Sequence, residues 1–341
     1  MPNGVPFVGV TRGGYIESVH AVAAAVATED GGLLFALGDV ETPVFLRSTA
    51  KPFIAAAIVA SGAARRFGFD ARELAVIAAS HGGEPFHVDA VRSLLTKIGV
   101  DAEALRCGAH APSYEPAARA LFAAGEAPSA LHNNCSGKHA GIMALALALG
   151  ADVDGYLEPS HPAERYVLAF CARMIDQAVE ALPLAIDGCG IPVFATSLRR
   201  GAMAFARLAT SRAVGAADGA ALRAVREAIA AEPDYVAGTG RFDSALARET
   251  GGAIVGKSGA EGVFGAGLVA TGKGMALKVI DGALRAVPPA AMAILRRTRA
   301  FDLGVPAALE THEHPAVINV AGRAVGGLRA LTETNVSSDA S

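Results

Sequence analysis

The sequence predicts an α+β protein, with one antiparallel sheet built from both ends of the chain and a mostly helical stretch between them. Three observations predict it. The first forty residues alternate short apolar segments with glycine turns; residues 49–250 carry apolar positions at helical spacing between cap and glycine signals; from about residue 253 β-patterned segments return. The chain has 341 residues, 52% hydrophobic and 18% charged, a balance that buries a large core. The expected organisation is a single unit over 1–335, with a sheet subdomain (1–47 and 250–335), a mostly helical subdomain (48–249) and a polar tail (336–341).

Strands are expected at 8–11, 16–28 and 33–37, separated by Gly13-Gly14 and by Glu29-Asp30-Gly31-Gly32. A helix over about 49–61 follows. Asp70 with Glu73 three residues on reads as a capping box that opens a helix to residue 79. Further helices are expected over 88–98, 115–124, 140–149, 160–182, 197–209 and 218–231, with helical character continuing to residue 248. Strands then return at 253–259, 263–269 and 275–280, followed by a helix over 289–300 and a hairpin at 317–320 and 324–326.

Composition narrows the function. Net charge is −3, Trp is absent, and Lys and Arg form no stripe, which disfavours nucleic-acid binding. No basic-then-apolar leader opens the chain, and its longest apolar run is far short of the roughly 20 residues a membrane helix needs. A cytoplasmic protein is expected. Four Cys in a chain of this length do not make a disulfide scaffold. Cys171, on the apolar face of the 160–182 helix, reads as a core thiol. Asn335-Val336-Ser337 matches a glycosylation sequon by chance.

Chemistry concentrates in a few stretches. In Arg47-Ser48-Thr49-Ala50-Lys51-Pro52, Ser and Lys stand three apart, so a helical backbone puts them on one face. A serine hydroxyl needs a base, and a desolvated lysine can serve. At a helix N-terminus the dipole favours developing negative charge on Ser48. Ser80-His81-Gly82-Gly83 presents a second hydroxyl on a turn. His132-Asn133-Asn134-Cys135-Ser136-Gly137-Lys138-His139 and Asp187-Gly188-Cys189-Gly190 put thiols where glycines let backbone approach closely. By spacing alone, His132, Cys135 and His139 could be metal ligands or ordinary loop and core residues.

Ser-x-x-Lys opening a helix, a long helical insert, and Gly256-Lys257-Ser258-Gly259 on a late strand resemble the layout of serine β-lactamases and penicillin-binding proteins, where Lys-Thr-Gly stands at the last position. The five motifs together, in this order and spanning nearly the whole chain, resemble the asparaginase II family of rhizobial-type L-asparaginases. That resemblance implies hydrolysis of L-asparagine to L-aspartate and ammonia on a fold like that of serine β-lactamases and glutaminases. It implies two Ser–Lys tandems, Ser48 as nucleophile with Lys51 as base, and Ser80 with Lys257 relaying protons. It also implies a Zn2+ site at Cys135, Lys138 and Cys189, and a homodimer. For the substrate, Arg47 could fork the α-carboxylate and Asp187 take the α-ammonium, with Asn133 and His81 as lesser candidates. Lys51 is expected to be neutral at rest, held so by its apolar helix and by Lys257. Cys107 has no assigned role. The alternatives are another acyl hydrolase on the same scaffold (a glutaminase, β-lactamase or esterase) and a non-catalytic metal- or amino-acid-binding protein.

Overall fold

Both chain ends feed one large antiparallel sheet. The computed structural model describes residues 1–212, 215–301 and 304–331; the expected tail and the sequon lie outside them. The sheet's N-terminal strands are β1 (Val5–Arg12), β2 (Tyr15–Ala27) and β3 (Leu33–Leu37). A short β4 (Val44–Phe45) leads to a tight 3-10 turn over Arg47–Ala50 and then α1 (Lys51–Ala60). The helical part continues with α2 (Ala63–Phe67), α3 (Ala71–Ile77), α4 (Pro85–Ile98), α5 (Glu115–Ala123), α6 (Ser136–Ala148) and α7 (Pro162–Met174). A hairpin of β5 (Leu184–Ile186) and β6 (Pro192–Thr196) interrupts it before α8 (Leu198–Thr210), α9 (Ala216–Ala231) and α10 (Phe242–Glu249). The sheet is completed by β7 (Ile254–Gly259), β8 (Val263–Leu268) and β9 (Lys273–Val279), then α11 (Val287–Arg297), α12 (Ala307–Glu313), β10 (Ala316–Ile318) and β11 (Ala324–Ala330).

The strand order is β10-β11-β1-β2-β9-β8-β7, with β3 also pairing β2, so the two ends of the sequence meet at β1–β11 and β2–β9. One face packs Val8, Val10 and Leu277 against Ile294 and Leu295 of α11. The other face is lined by alanines, Ala23, Ala25 and Ala276, against Leu198 and Ala202 of α8. That helix lies close because β9 and β8 are glycine-punctuated. A Cβ on Gly274 would come within 2.0 Å of the Ala202 carbonyl, and one on Gly265 would strike the Phe205 ring.

The helical side has its own core, with α1 at its centre. Every residue of α1 from Lys51 to Ile58 is buried, and Phe53 meets Phe205 of α8 edge to face at 5.2 Å. A helix buried all round has no polar face, which is what desolvates Lys51. The Asp70–Glu73 capping box is present at the start of α3. No helix among the described residues is long and apolar enough to cross a membrane.

Three differences from the sequence reading affect the site. The helix expected over 160–182 ends at Met174, because Asp176 takes a positive φ of 50° and turns the chain away. The freed segment supplies the β5–β6 hairpin, and β6 pairs with β4 just before Arg47. The helix expected from residue 140 begins at Ser136, so Lys138 lies in its first turn and is buried.

Candidate active site

The centre of the site is the turn Arg47–Ala50. Arg47 takes φ 50°, a left-handed conformation uncommon for a residue with a Cβ. It is pinned on both sides: the preceding Leu46 N–H bonds the Phe194 carbonyl of β6, and the Arg47 guanidinium Nε donates to Asp187 Oδ1 at 2.6 Å. Ser48 follows on the turn, half-buried, and Lys51 opens α1 with Pro52 in the first turn, where a missing N–H costs nothing. On the other side lies β7. A Cβ on Gly259 would come 2.9 Å from the Leu46 carbonyl, 3.1 Å from the Thr49 nitrogen and 3.2 Å from the Ser48 nitrogen, so only glycine lets the Lys-Ser-Gly strand lie against this turn.

The Lys51 amine is fully buried and faces three oxygens: the Ala79 carbonyl at 2.5 Å, Ser80 Oγ at 3.0 Å and the Asn134 carbonyl at 3.2 Å. Two carbonyls can only accept, so they take two of its N–H bonds. Ser80 is left with the third N–H of the charged form or the lone pair of the neutral form. Burial lowers the Lys51 pKa from 10.5 to about 8, Cys135 works against that, and Lys138 and Lys257 add to it. At pH 7 an amine of that pKa is still mostly protonated, whereas the sequence led us to expect a neutral one. Among the described residues no hydrogen bond joins Ser48 to Lys51; the bonded pair is Lys51 and Ser80.

Lys257 is also fully buried, but its partner is Asp243 of α10. Lys257 Nζ donates to Asp243 Oδ2 at 3.1 Å and to the Ser258 carbonyl at 2.7 Å. The same carboxylate accepts the Ser258 N–H at 2.8 Å and the Ser258 hydroxyl at 2.5 Å. Burial pulls Lys257 below its usual value while Asp243 opposes it. Burial alone would raise Asp243, but Lys257 and Ser258 hold it below the ordinary carboxylate range. Sequence reading missed Asp243. One acid in an amphipathic helix carries no mark that its partner is a lysine on a later strand.

The second cluster joins α6 to the hairpin tip. Lys138 Nζ lies 3.1 Å from Cys189 Sγ, and the Cys189 thiol donates to Cys135. That bond is the main reason Cys135 is held well below the usual thiol range, with Lys138 and Lys51 adding to it. Donating to Cys135, together with burial, raises Cys189. Burial works against the Lys138 charge, but Cys135, Cys189 and Asp187 outweigh it and hold the amine high. Gly190, at φ 94°, closes the tip by donating its N–H to the Asp187 carbonyl. Two thiols, one primed as a thiolate, and an amine in contact are a donor set that suits a soft-leaning divalent metal. No group of three or more His, Cys, Asp or Glu among the described residues is placed to hold a metal ion; in the set that the family resemblance implies, the third ligand is Lys138.

The remaining candidates are occupied by the protein itself. Asn133 donates to the Cys107 and Gly108 carbonyls and accepts the Cys135 N–H, so it shapes the Cys135 turn. His81 is fully buried; Gly83 N–H bonds its Nδ1, so Nε2 carries the proton and donates to Ser136 Oγ at 2.9 Å. Burial, then its stacked neighbour His87, holds His81 well below the usual value. His139 bonds the Tyr156 hydroxyl through Nδ1 at 2.7 Å, and His132 caps its own turn through Ser129. Cys107 donates to the Ala130 carbonyl, and Cys171 is a core thiol that burial raises to about 12.

A cavity of about 30 Å³ opens beside Lys51, lined by Arg47, Lys51, Lys138, Glu164, Asp187 and apolar side chains of α1, α7 and β6. Ser48, Ser80 and Lys257 do not line it. Glu164 is buried there, and burial raises its pKa to about 8. This second unforeseen acid sits at the third residue of a helix, where an acid reads as a solvated first-turn residue.

No curated protein matches the sequence. Among solved structures, Mglu in 4.3 M NaCl aligns at 15% identity and TM-score 0.38 over 82% of this chain and 60% of that one, so the chain spans about three fifths of Mglu. A protein assigned as a beta-lactamase from Bacteroides dorei DSM 17855 aligns at 13% identity and TM-score 0.41 over 81% of this chain and 93% of that one. The sequence model of the family described as L-asparaginase II matches residues 8–330. With nearly the whole chain inside that match, the protein belongs to the L-asparaginase II family.

Proposed function

We propose that the protein hydrolyses L-asparagine to L-aspartate and ammonia by acyl transfer to Ser48. The observation that carries this is the buried Lys51 amine, which opens the helix directly after the Ser48 turn and bonds Ser80 Oγ at 3.0 Å. Ser48 Oγ attacks the side-chain amide carbon as its proton passes to neutral Lys51. The carbonyl oxygen becomes an oxyanion at the N-terminus of α1, where backbone N–H groups and the helix dipole favour it. Lys51 returns the proton through the Ser80 hydroxyl to the amide nitrogen, the C–N bond breaks, and ammonia leaves an aspartyl ester on Ser48. Water then attacks the ester, giving its proton up to Lys51, and Ser48 is protonated as aspartate departs.

Lys257, fixed as a cation by Asp243, adds a positive charge next to Lys51 that favours the neutral amine. Arg47 reads the α-carboxylate; Asp187, expected from the sequence to take the α-ammonium, is bonded to the Arg47 guanidinium and is here assigned to hold it in place. Cys135, Lys138 and Cys189 fit a zinc ion. When bound, zinc supplies Lewis-acid polarisation and order to the substrate end of the site. Lys138 must lose its proton to ligate it. The family resemblance adds a homodimer.

The test is an ammonia-release assay on L-asparagine, L-glutamine and a chromogenic β-lactam, with and without chelator, for wild type and Ser48→Ala. Asparagine turnover that disappears in the variant, with metal content unchanged, supports the proposal. Silence on all three substrates, or full turnover by Ser48→Ala, overturns it.

A further inference from the structure

Glu164 stands in the first turn of α7, two residues after Pro162, with 3% of its surface exposed. Its Oε1 is fully buried with no hydrogen-bond partner among the described residues. Its carboxyl lines the small cavity beside Lys51, and the walls behind it are apolar: Ile54 of α1, Val167 and Leu168 of α7, and Val193 of β6.

The other charged groups on this cavity each have a partner, Arg47 through Nε alone, so that its terminal nitrogens carry no hydrogen bond among the described residues. Arg47 and Asp187 hold each other at 2.6 Å. Lys51 donates to the Ala79 and Asn134 carbonyls and bonds Ser80, and Lys138 lies on Cys189 Sγ. A buried carboxyl with an unengaged oxygen is a costly feature for a fold to keep, since desolvation is not repaid. Glutamine or leucine would fill the same space at lower cost. An acceptor set in apolar walls, in a space of about 30 Å³, suits a small donor-rich group about the size of a water molecule. A primary ammonium has that size and carries three N–H donors.

We propose that Glu164 receives the α-ammonium group of the amino-acid substrate, which makes this cavity the ammonium subsite of the enzyme. The inference rests on the asparaginase reading above and extends it. Arg47 takes the α-carboxylate at the cavity mouth, Glu164 takes the ammonium within, and the amide is left facing Ser48. The two charged ends of the amino acid are then read by residues on different elements, the Arg47 turn and α7, and a substrate lacking either end loses one anchor.

The test compares L-asparagine with succinamic acid, which has the same amide and carboxylate but hydrogen in place of the ammonium group. For Glu164→Gln, assayed above pH 8 where the carboxyl is ionised, KM for asparagine should rise roughly tenfold or more with kcat changed little, because a charge-assisted bond becomes a neutral one. Its kcat/KM for succinamic acid should match wild type, and its thermal midpoint should be equal to or above wild type. Equal losses on both substrates would make Glu164 a structural residue and overturn the proposal; so would unchanged kinetics on both. If wild type releases ammonia from neither substrate, the asparaginase reading falls and the proposal falls with it. A wild type that turns over asparagine beside a variant indifferent to the ammonium group overturns only the role of Glu164.

Discussion

At the scale of single residues, the site is a set of buried and half-buried ionisable groups, each held by a partner from another element of the fold. Lys257 has Asp243, Arg47 has Asp187, and Lys51 has Ser80. Asp243→Asn tests how much of this is charge. The amide can still accept from Lys257 and the Ser258 N–H and donate to the Ser258 hydroxyl, so geometry survives while the negative charge does not. We expect kcat to fall roughly tenfold or more and the thermal midpoint to drop as well, because removing one partner leaves the buried Lys257 charge uncompensated. Unchanged kcat would show that the Lys257 charge plays no part.

His87 makes a prediction about stability. Burial lowers its pKa from 6.5 to about 4, and its ring bonds the Asp234 carbonyl at 3.0 Å. The unfolded chain therefore binds the proton first, so the neutral ring's contribution is complete above pH 6.5 and is lost as pH falls toward 4, at most about 3 kcal/mol. Urea midpoints measured from pH 7 to 4 should fall less steeply for His87→Gln than for wild type. Equal slopes would contradict this. Ser48, Lys51 and Ser80 stand in short motifs that the sequence singles out, whereas the Cys135, Lys138 and Cys189 set comes from the family resemblance, since spacing alone offers His132, Cys135 and His139. Asp243 and Glu164 were not legible, since what distinguishes them is a partner or a cavity wall that only the fold supplies.

At the scale of elements, two contacts bring the site together. The first is β7 against the Ser48 turn at Gly259. Gly259→Ala should push strand and turn apart by several tenths of an ångström. Misplacement of this kind can cost about 10²-fold in rate, so kcat should drop steeply while far-UV circular dichroism stays native. Retention of wild-type kcat would show that the approach of β7 does not matter. The second contact is the β4–β6 pairing, which carries Asp187 and Cys189 to Arg47. Sequence periodicity could not show it. The apolar positions from Val167 to Leu182 continue past the real end of α7, and the break comes from the left-handed Asp176, a conformation that no residue type there announces. The sheet strands were legible, because glycine turns bound them and their apolar runs are short. The capping box of α3 was also legible, because its two residues supply the whole interaction locally.

At the scale of the molecule, the Ser48 turn lies between a sheet made from both chain ends and a helical core centred on α1. The ends are tied together: β11 pairs β1 from Val8–Ala330 to Arg12–Gly326, and Leu328 is buried under α11 and α12. Ending the chain after Glu313 removes β10 and β11, which bares the β1 edge and that part of the core. Such a protein should show a markedly lower thermal midpoint and lower soluble yield; an unchanged midpoint would mean the closing hairpin is dispensable. The α+β class was legible from the order of patterns along the chain. The alanine-lined seat of α8 on the sheet was not, because alanines at alternate positions mark a small-residue interface only once the covering helix is known.

The central claim is that Ser48 is the acylated serine, with Ser80 serving Lys51 as a proton relay. Rapid acid quench during asparagine turnover, followed by peptide mapping by mass spectrometry, tests it directly. The account predicts an added aspartyl mass on the peptide carrying Ser48, absent in Ser48→Ala. An adduct on the Ser80 peptide, or steady ammonia release with no adduct at any time point, would contradict it.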